Sequence, residues 1–563
     1  EILDFTSANA SALRPYLGAV SDNAADTIIQ YIRGTDFPDL RTRTTDGKVW
    51  KLGDVINSGP SMVGRPVERY DFIYGDASYA QYFNLYRDRR QVVYVGSNDG
   101  MLHCFNGGIS QRGDNAITPI SLDPAGYDLG EELWAYVPYN LLPHLKWLTK
   151  KGYDQCHTYY VDLRAYVTDA QIFDPANPKY MGGWGTLLIG GMRLGGLPIA
   201  TANDTCSSAF FAIDVTDPLD PIPLWEYSPQ DLALTTCFST VVKVRDRWFL
   251  VFGSGPQSCS GECTQNARIF ILDLRTGTLL RKITLPEVGS LVSNIFACDW
   301  GIDYSVDRIY CGNAYYLGPP TKAWRGKIYR ILTNDDTNPN NWTWGSVMDM
   351  QRPVTAEGSV ATDEYNHLWV YFGTGRLYSE FDVADTTTQQ LYIGFRDDTV
   401  HTQMVTDRYN VTNVWVDTLD QVHIPGGGIV SFDSLETLVN NRLGWYRWMR
   451  RGERSITTSL VIGGAVLFTS FKPGEDICSY GGTGTLYALH YLTGTAYTEP
   501  FLGVTGDTNR VYVDIGAGMP SEPSLYVTAD QTKVFVQVGG VIVSPETGIP
   551  GLPRSGVILW KGR

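Results

Sequence analysis

Val92-Val-Tyr-Val-Gly-Ser-Asn-Asp-Gly-Met-Leu-His-Cys-Phe105 reads as a β-hairpin. Branched and aromatic residues run up to Gly96, and a second apolar run leads away from Met101. Between them, Asn98-Asp99-Gly100 offers residues that tolerate positive φ, the chemistry a tight hairpin turn requires. Looser copies follow at 186–217, 248–277, 308–331, 368–397, 464–494 and 524–562. Each runs from a hydrophobic strand ending in Gly or a small polar residue to a second strand, as in Trp248-Phe-Leu-Val-Phe-Gly-Ser-Gly255 and Ile269-Phe-Ile-Leu-Asp-Leu-Arg-Thr-Gly277. A strand–turn–strand unit recurring with irregular length favours an all-β, seven-bladed β-propeller with long inter-blade insertions. One or two β-sandwiches are the alternative.

The composition agrees. The 563 residues include 34 Tyr, 21 Phe, 15 Trp, 58 Gly and 29 Pro, a mixture suited to short strands joined by turns. Lys+Arg 45 against Asp+Glu 60 leaves a net charge of −15, which argues against nucleic-acid phosphates or anionic lipid as partners. No apolar run reaches the roughly 20 residues of a transmembrane helix. The chain begins at Glu1 without Met, which reads as a processed or trimmed product.

Residues 1–60 read as an N-terminal extension and 61–563 as the propeller, with an insertion at about 397–450. The extension is partly helical: Ala25–Arg33 puts Ile28, Ile29 and Ile32 on one face, with Asp22, Asn23 and Asp26 where N-caps belong. Residues 130–150 read as a strand and then a short helix opened by Pro143, and a further helix is expected near Ser434–Asn441. Arg447, Arg450, Arg451 and Arg454, beside Trp445 and Trp448, read as an exposed basic patch.

Nine cysteines are present without any CxxC, so zinc-ribbon and thioredoxin patterns are absent. Cys259 and Cys263 suggest a small disulfide loop, and Cys298 and Cys311 suggest a staple across the acidic segment between them; nine buried thiols are the alternative. Enzymatic signatures are scarce. The seven histidines are scattered, HExxH and the Walker and Rossmann fingerprints are missing, and Phe252-Gly-Ser-Gly255 precedes Pro256 as a loop.

The sharpest candidate site is Asp299-Trp-Gly-Ile-Asp303-Tyr-Ser305-Val-Asp307. Carboxylates at every fourth position of a short loop, with the backbone carbonyl of Ser305, supply the hard oxygens that Ca2+ prefers. Gly301 offers no side-chain ligand, and Tyr304 stands where such loops usually carry Gly. Three surface aspartates in a turn remain the plain alternative. Asn334–Asn341 reads as turn chemistry, and Asp382, Asp385 and Thr386–Thr388 as a helix cap or turn.

Several ordered segments resemble the C-terminal propeller of the PilY/PilC family, adhesins and assembly factors at the tip of bacterial type IV pili. They are Val92–Phe105, Glu132–Thr149 with His157-Thr-Tyr-Tyr-Val-Asp162, Trp369–Arg376 (WVYFGTGR) and Cys478–Leu489, supported by Gly452-Glu-Arg-Ser455 and Ala212–Pro218. The resemblance implies a seven-bladed propeller with a modified EF-hand-like calcium loop at 299–307, its ligands being Asp299, Asp303, the Ser305 carbonyl and Asp307. It also implies a non-enzymatic, exported protein of the pilus tip or outer membrane. Such a protein acts with minor pilins in pilus extension and retraction, twitching motility and adhesion to host or abiotic surfaces. The family's N-terminal half, often with a von Willebrand factor A-like module, is not in this sequence. Pyrroloquinoline-quinone dehydrogenases share repeats such as Asp273-Leu-Arg-Thr-Gly277 but typically carry an adjacent Cys-Cys pair, which this sequence lacks. A scaffold propeller without any ligand is the third reading.

Overall fold

The quoted hairpin pairs as its residues dictate. Gln91–Gly96 lies antiparallel to Leu102–Gly108, with Tyr94 opposite Cys104. Gly100 sits at φ +100°, and a Cβ there would stand 2.3 Å from Cδ2 of Leu145, so both the turn and the close approach require glycine. The computed structural model describes residues 2–109, 125–201, 204–319, 323–398, 402–474, 481–527 and 532–548.

Six sheets follow one another along the chain, each with four antiparallel strands in meander order. Sheet I holds Ser61–Val63, Gln91–Gly96, Leu102–Gly108 and Glu132–Tyr136. Sheet II holds Tyr166–Gln171, Trp184–Gly191, Phe210–Asp214 and Ile222–Tyr227. Sheet III holds Thr240–Val244, Arg247–Gly253, Arg268–Asp273 and Leu279–Thr284. Sheet IV holds Ser290–Cys298, Arg308–Leu317, Lys327–Leu332 and Thr343–Asp349. Sheet V holds Ser359–Thr362, Leu368–Gly373, Leu391–Arg396 and Gly444–Trp448, the last drawn from the stretch 397–450. Sheet VI holds Leu460–Ile462, Ala465–Pro473, Gly482–His490 and Tyr512–Ala517. Two short segments add parallel strands to outer edges: Gln403–Met404 on sheet IV and Tyr409–Asn410 on sheet V. A three-stranded C-terminal sheet holds Ser524–Val527, Thr532–Val538 and Val541–Val543; the rest of the unit expected at 524–562 lies outside the described residues.

The core is shared between successive sheets. One apolar cluster joins sheets I and II, another sheets II to IV, and others sheets IV with V and V with VI. A fifth joins sheet VI to the C-terminal sheet through Leu467, Leu486, Val534 and Val536. The first strands or the residues just before them, including Met62, Tyr166, Ser239, Ile295 and Glu357, line one cavity of about 210 Å³, so sheets I to V share an inner side. In a meander, the loops joining strands one to two and three to four leave from one end of the sheet. The loops joining strands two to three, and each sheet to the next, leave from the other.

The N-terminal segment is helical over α1 (Ala10–Leu17) and α2 (Asp22–Ile32). Ile29 and Ile32 are buried, as the periodicity requires, but the α2 cap is Ser21, whose hydroxyl accepts from the Ala24 amide, rather than Asp22, Asn23 or Asp26. Two further helices, α3 (Tyr70–Ile73) and α4 (Ala77–Tyr86), lie between the first two strands of sheet I. The turn expected to open at Pro143 is a 3-10 run over Tyr139–Trp147, entered after Pro138, with Pro143 inside it. Short helices α5 (Glu380–Ala384) and α6 (Phe432–Asn440) are capped by Ser379 and Ser431. Ser379 and Asp382 form a capping box.

Three expectations fail. The eight cysteines among the described residues are free, and Cys478 lies outside them. Cys298 packs with Phe296 and Tyr310 between sheets IV and V, whereas Cys311 faces Val292 and Tyr329 in another cluster, so the strand separates the two thiols. The 259–263 loop is held instead by Arg376, whose guanidinium donates to the carbonyls of Ser260 and Gly261 at 3.0 and 2.9 Å. The arginine patch is not an exposed insertion either. Arg447 is buried on the carbonyls of Gly494, Thr412 and Val414, and Arg450 pairs with Glu453 and Asp514. Arg454 is 5 % exposed, and only Arg451 lies in solvent.

Candidate functional site

The loop 299–307 connects the first two strands of sheet IV. Its shape comes from its own carboxylates. Asp299, 2 % exposed, accepts from the amides of Asp303 (3.1 Å) and Tyr304 (2.8 Å). Asp307 accepts from the amides of Trp300 (2.7 Å) and Gly301 (3.1 Å). Asp303 accepts from the Ser305 amide at 3.0 Å. Ile302 and Tyr304 sit at φ +53° and +72°, so Tyr304 takes the left-handed conformation for which glycine is the usual choice.

What holds a tyrosine there is its ring. Tyr304 stacks on Tyr74, with centroids 4.2 Å apart and planes at 13°. Its hydroxyl donates to Asp76 at 3.1 Å. On its carbonyl side, Lys243 donates to the Tyr304 carbonyl at 3.0 Å, with the ammonium also 3.7 Å from the ring centroid. Burial pulls the Lys243 ammonium below its usual pKa, while Asp76, Asp246, Asp299 and Asp303 oppose that shift. Burial likewise lifts the Asp299 carboxyl, against the two amides and the Tyr74 hydroxyl that bond to it. The Ser305 hydroxyl donates to Asp335 at 2.9 Å, and Arg245 pairs with the same carboxylate at 2.8 Å.

Asp299, Asp303, Ser305 and Asp307 therefore lie on one ordered loop, knitted through backbone amides. Among the described residues, no three His, Cys, Asp or Glu side chains converge as a ready-made metal site. The donors on the loop are all oxygens, which suits Ca2+ by type. Position 301 has room: a Cβ there would stand 3.6 Å from the nearer Asp303 oxygen.

Sequence reading alone missed Tyr74, Asp76 and Lys243. They come from sheets I and III and meet the loop only because one-to-two connections share an end of each sheet. The weaker acidic stretch 334–341 is turn chemistry: Asp336 accepts from the Asn338 amide and from the Asn341 side chain, both at 2.7 Å.

The segments singled out for their resemblance also meet pairwise. Asn98 accepts from the Tyr160 amide at 3.0 Å, joining Val92–Phe105 to His157–Asp162. Arg454 donates to the carbonyl of Arg376, joining Gly452–Ser455 to Trp369–Arg376.

Comparison with known proteins gives these features a family. The sequence is 27% identical over 468 residues to a type IV pilus biogenesis factor PilY1 homolog of Xylella fastidiosa, covering 79% of this chain and 33% of that protein. It is 26% identical over 543 residues to type IV pilus biogenesis factor PilY1 of Pseudomonas aeruginosa, covering 85% and 42%. The chain thus spans about a third to two fifths of the length of these relatives. The crystal structure of the Pseudomonas aeruginosa PilY1 C-terminal domain superposes with a TM-score of 0.58 at 20% identity, covering 86% of this chain and 99% of that one. Among the described residues, no helix is long and apolar enough to cross a membrane. The PilY1 beta-propeller domain model matches residues 52–423, loop 299–307 included, and the chain belongs to that family.

Proposed function

We propose that this chain is the propeller region of a non-enzymatic, exported protein associated with the type IV pilus tip. It would act with minor pilins in the balance of pilus extension and retraction, in twitching motility and in adhesion to surfaces. On this reading the C-terminal sheet is the seventh blade. The salt bridge from Arg164, before sheet II, to Glu522, before the C-terminal sheet, supports a ring that closes. The observation that carries the functional reading is the coincidence of family and loop: the matched region contains 299–307, and Tyr304 there takes a left-handed backbone at the position where calcium loops usually carry Gly.

Calcium would be held by the carboxylates of Asp299, Asp303 and Asp307 and the carbonyl of Ser305, and would supply the charge that fixes the loop. Because Asp299 and Asp307 already accept backbone amides, binding trades hydrogen bonds for metal contacts. Affinity is expected in the weak range of extracellular modules, about 10⁻⁴–10⁻³ M. Calorimetric titration of chelator-stripped protein tests this. One saturable site, lost in Asp303→Ala/Asp307→Ala and tightened in Gly301→Asp, is the expected result. No heat at millimolar calcium would remove the metal from the proposal, and binding that survives in the double variant would place it elsewhere.

A further inference from the structure

The opposite end of the sheets carries a second constellation. Loops 260–263, 323–325, 352–353 and 376–390, together with Arg454, are all two-to-three or sheet-to-sheet connections of sheets III to VI. They enclose a cavity of about 790 Å³. That is within the size range of small-molecule sites. Four arginines line it, Arg325, Arg352, Arg376 and Arg454, against Glu262, Asp382 and Asp385. A local excess of positive charge is unexpected in a chain of net charge −15.

The four arginines divide into two kinds. Arg376 and Arg454 are structural. Arg376 pairs with Asp382 and lies 3.9 Å from the centroid of the Trp324 ring. Arg454 donates to the carbonyls of Arg376, Asp382, Asp385 and Gly452. Arg325 and Arg352 are different. Both are half-buried, and among the described residues neither has a carboxylate within ion-pair distance. Both donate to the Gln351 carbonyl, at 2.5 and 2.8 Å, and the Nε of Arg352 also donates to the Gln389 carbonyl at 2.9 Å. That carbonyl is presented by a residue at φ +56°, pinned by its own amide to Asp349 at 3.0 Å. Each guanidinium has five N–H donors, and these bonds use only part of them. The chain thus spends backbone strain to hold two like charges side by side at a cavity wall, an arrangement that an anion would relieve.

The geometry points to a binding site for an acidic saccharide in this cavity, its carboxylate bridging Arg325 and Arg352. Guanidinium pairs match the planar carboxylate bidentately, and the wall beside them is aromatic. Tyr316 and Trp324 lie with ring centroids 5.4 Å apart, and Phe381 stands 89 % exposed at the rim. Such faces suit the C–H surface of a sugar ring. The carboxylates of Glu262 and Asp385 in the same lining are placed to accept hydroxyl groups of the sugar.

Calorimetric titration of the 563-residue chain with trigalacturonate tests the assignment, with its methyl ester and a tetraglutamate peptide as comparisons. Saturable binding is expected, weakened about tenfold or more by esterification and by Arg325→Gln or Arg352→Gln. Arg352→Lys, which keeps charge but loses the fork, should fall between. Phe381→Ser, at an exposed position, should weaken binding with an unchanged melting temperature. The site shares no residue with loop 299–307, so chelator should leave binding unchanged whether or not the calcium proposal holds. Equal binding of the ester, unaltered affinity in the folded arginine variants, or no heat at 10 mM ligand would each overturn the site. Tetraglutamate binding as well as trigalacturonate would overturn the saccharide.

Discussion

His103 sits near the end of the stretch that decides the fold, and it is 3 % exposed. Its Nε2 lies 3.1 Å from Asp99 and its Nδ1 2.5 Å from Glu132. Burial alone would lower its pKa, but the two carboxylates outweigh it and raise the imidazolium to about 9. A folded pKa above the ordinary 6.5 means that the folded state holds the proton more tightly. The stabilisation is therefore complete below about pH 6.5 and is lost as pH rises through 9. His103→Gln should cost roughly 2–3 kcal/mol at pH 6 and little above pH 9.5, read from urea melts across that range. The turn residues Asn98-Asp99-Gly100 were legible beforehand because their requirement is local backbone geometry. The ion pairs of His103 were not, since Glu132 arrives on another strand. Tyr304 makes the same point from the other side. In the sequence it departs from glycine, and only the Tyr74 stack and the Asp76 bond explain how it keeps a left-handed backbone.

Asp76 shows how one element depends on a distant one. It caps α4 by accepting from the amides of Ser78 (2.9 Å) and Tyr79 (3.0 Å), and its other oxygen takes the Tyr304 hydroxyl. Loss of an N-cap costs about 0.5–2 kcal/mol. Asp76→Ala should fall in that range, and Tyr304→Phe should cost less. Because both act on the same contact, their double variant should be less destabilised than the sum, which chemical denaturation of the four proteins measures. Strictly additive effects would show that cap and loop are independent. Helix α4 itself was not legible. Ala77–Tyr86 is rich in Tyr and lacks a clean apolar stripe, and its burial is set by Trp184 of sheet II rather than by its own period. The two middle strands of sheets II, III and V were legible because strands buried on both faces read as continuous apolar runs, as in Leu368–Gly373. Gly444–Trp448 was hidden inside an apparent insertion, because a long excursion separates it from its partner Leu391–Arg396.

Across the whole molecule, each sheet shares its core with the next, so no sheet is finished alone. The C-terminal sheet supplies Val534, Val536 and Val538 to the cluster that covers Leu467, Leu486 and Ala488 of sheet VI. A chain ending before Ser524 should expose that face, and the remaining sheets should lose a common support. We expect it to bind a hydrophobic dye, to melt at lower temperature and to aggregate, observable by calorimetry and light scattering. A truncated chain with an unchanged melting curve would mean that the first six sheets suffice. The repeat of strand–turn–strand units was visible in the sequence, but the order in which cores are shared required the sheets themselves.

The short parallel strands on sheets IV and V have a colloidal consequence. An edge strand of a sheet presents unpaired N–H and C=O groups that invite another chain. Gln403–Met404 and Tyr409–Asn410 occupy part of those rims, while on sheet III the outer strand Leu279–Thr284 carries Arg281 and Lys282. On these three sheets, copies crowded together at high local density would thus meet margins that are partly paired or charged, which disfavours zipping into fibres.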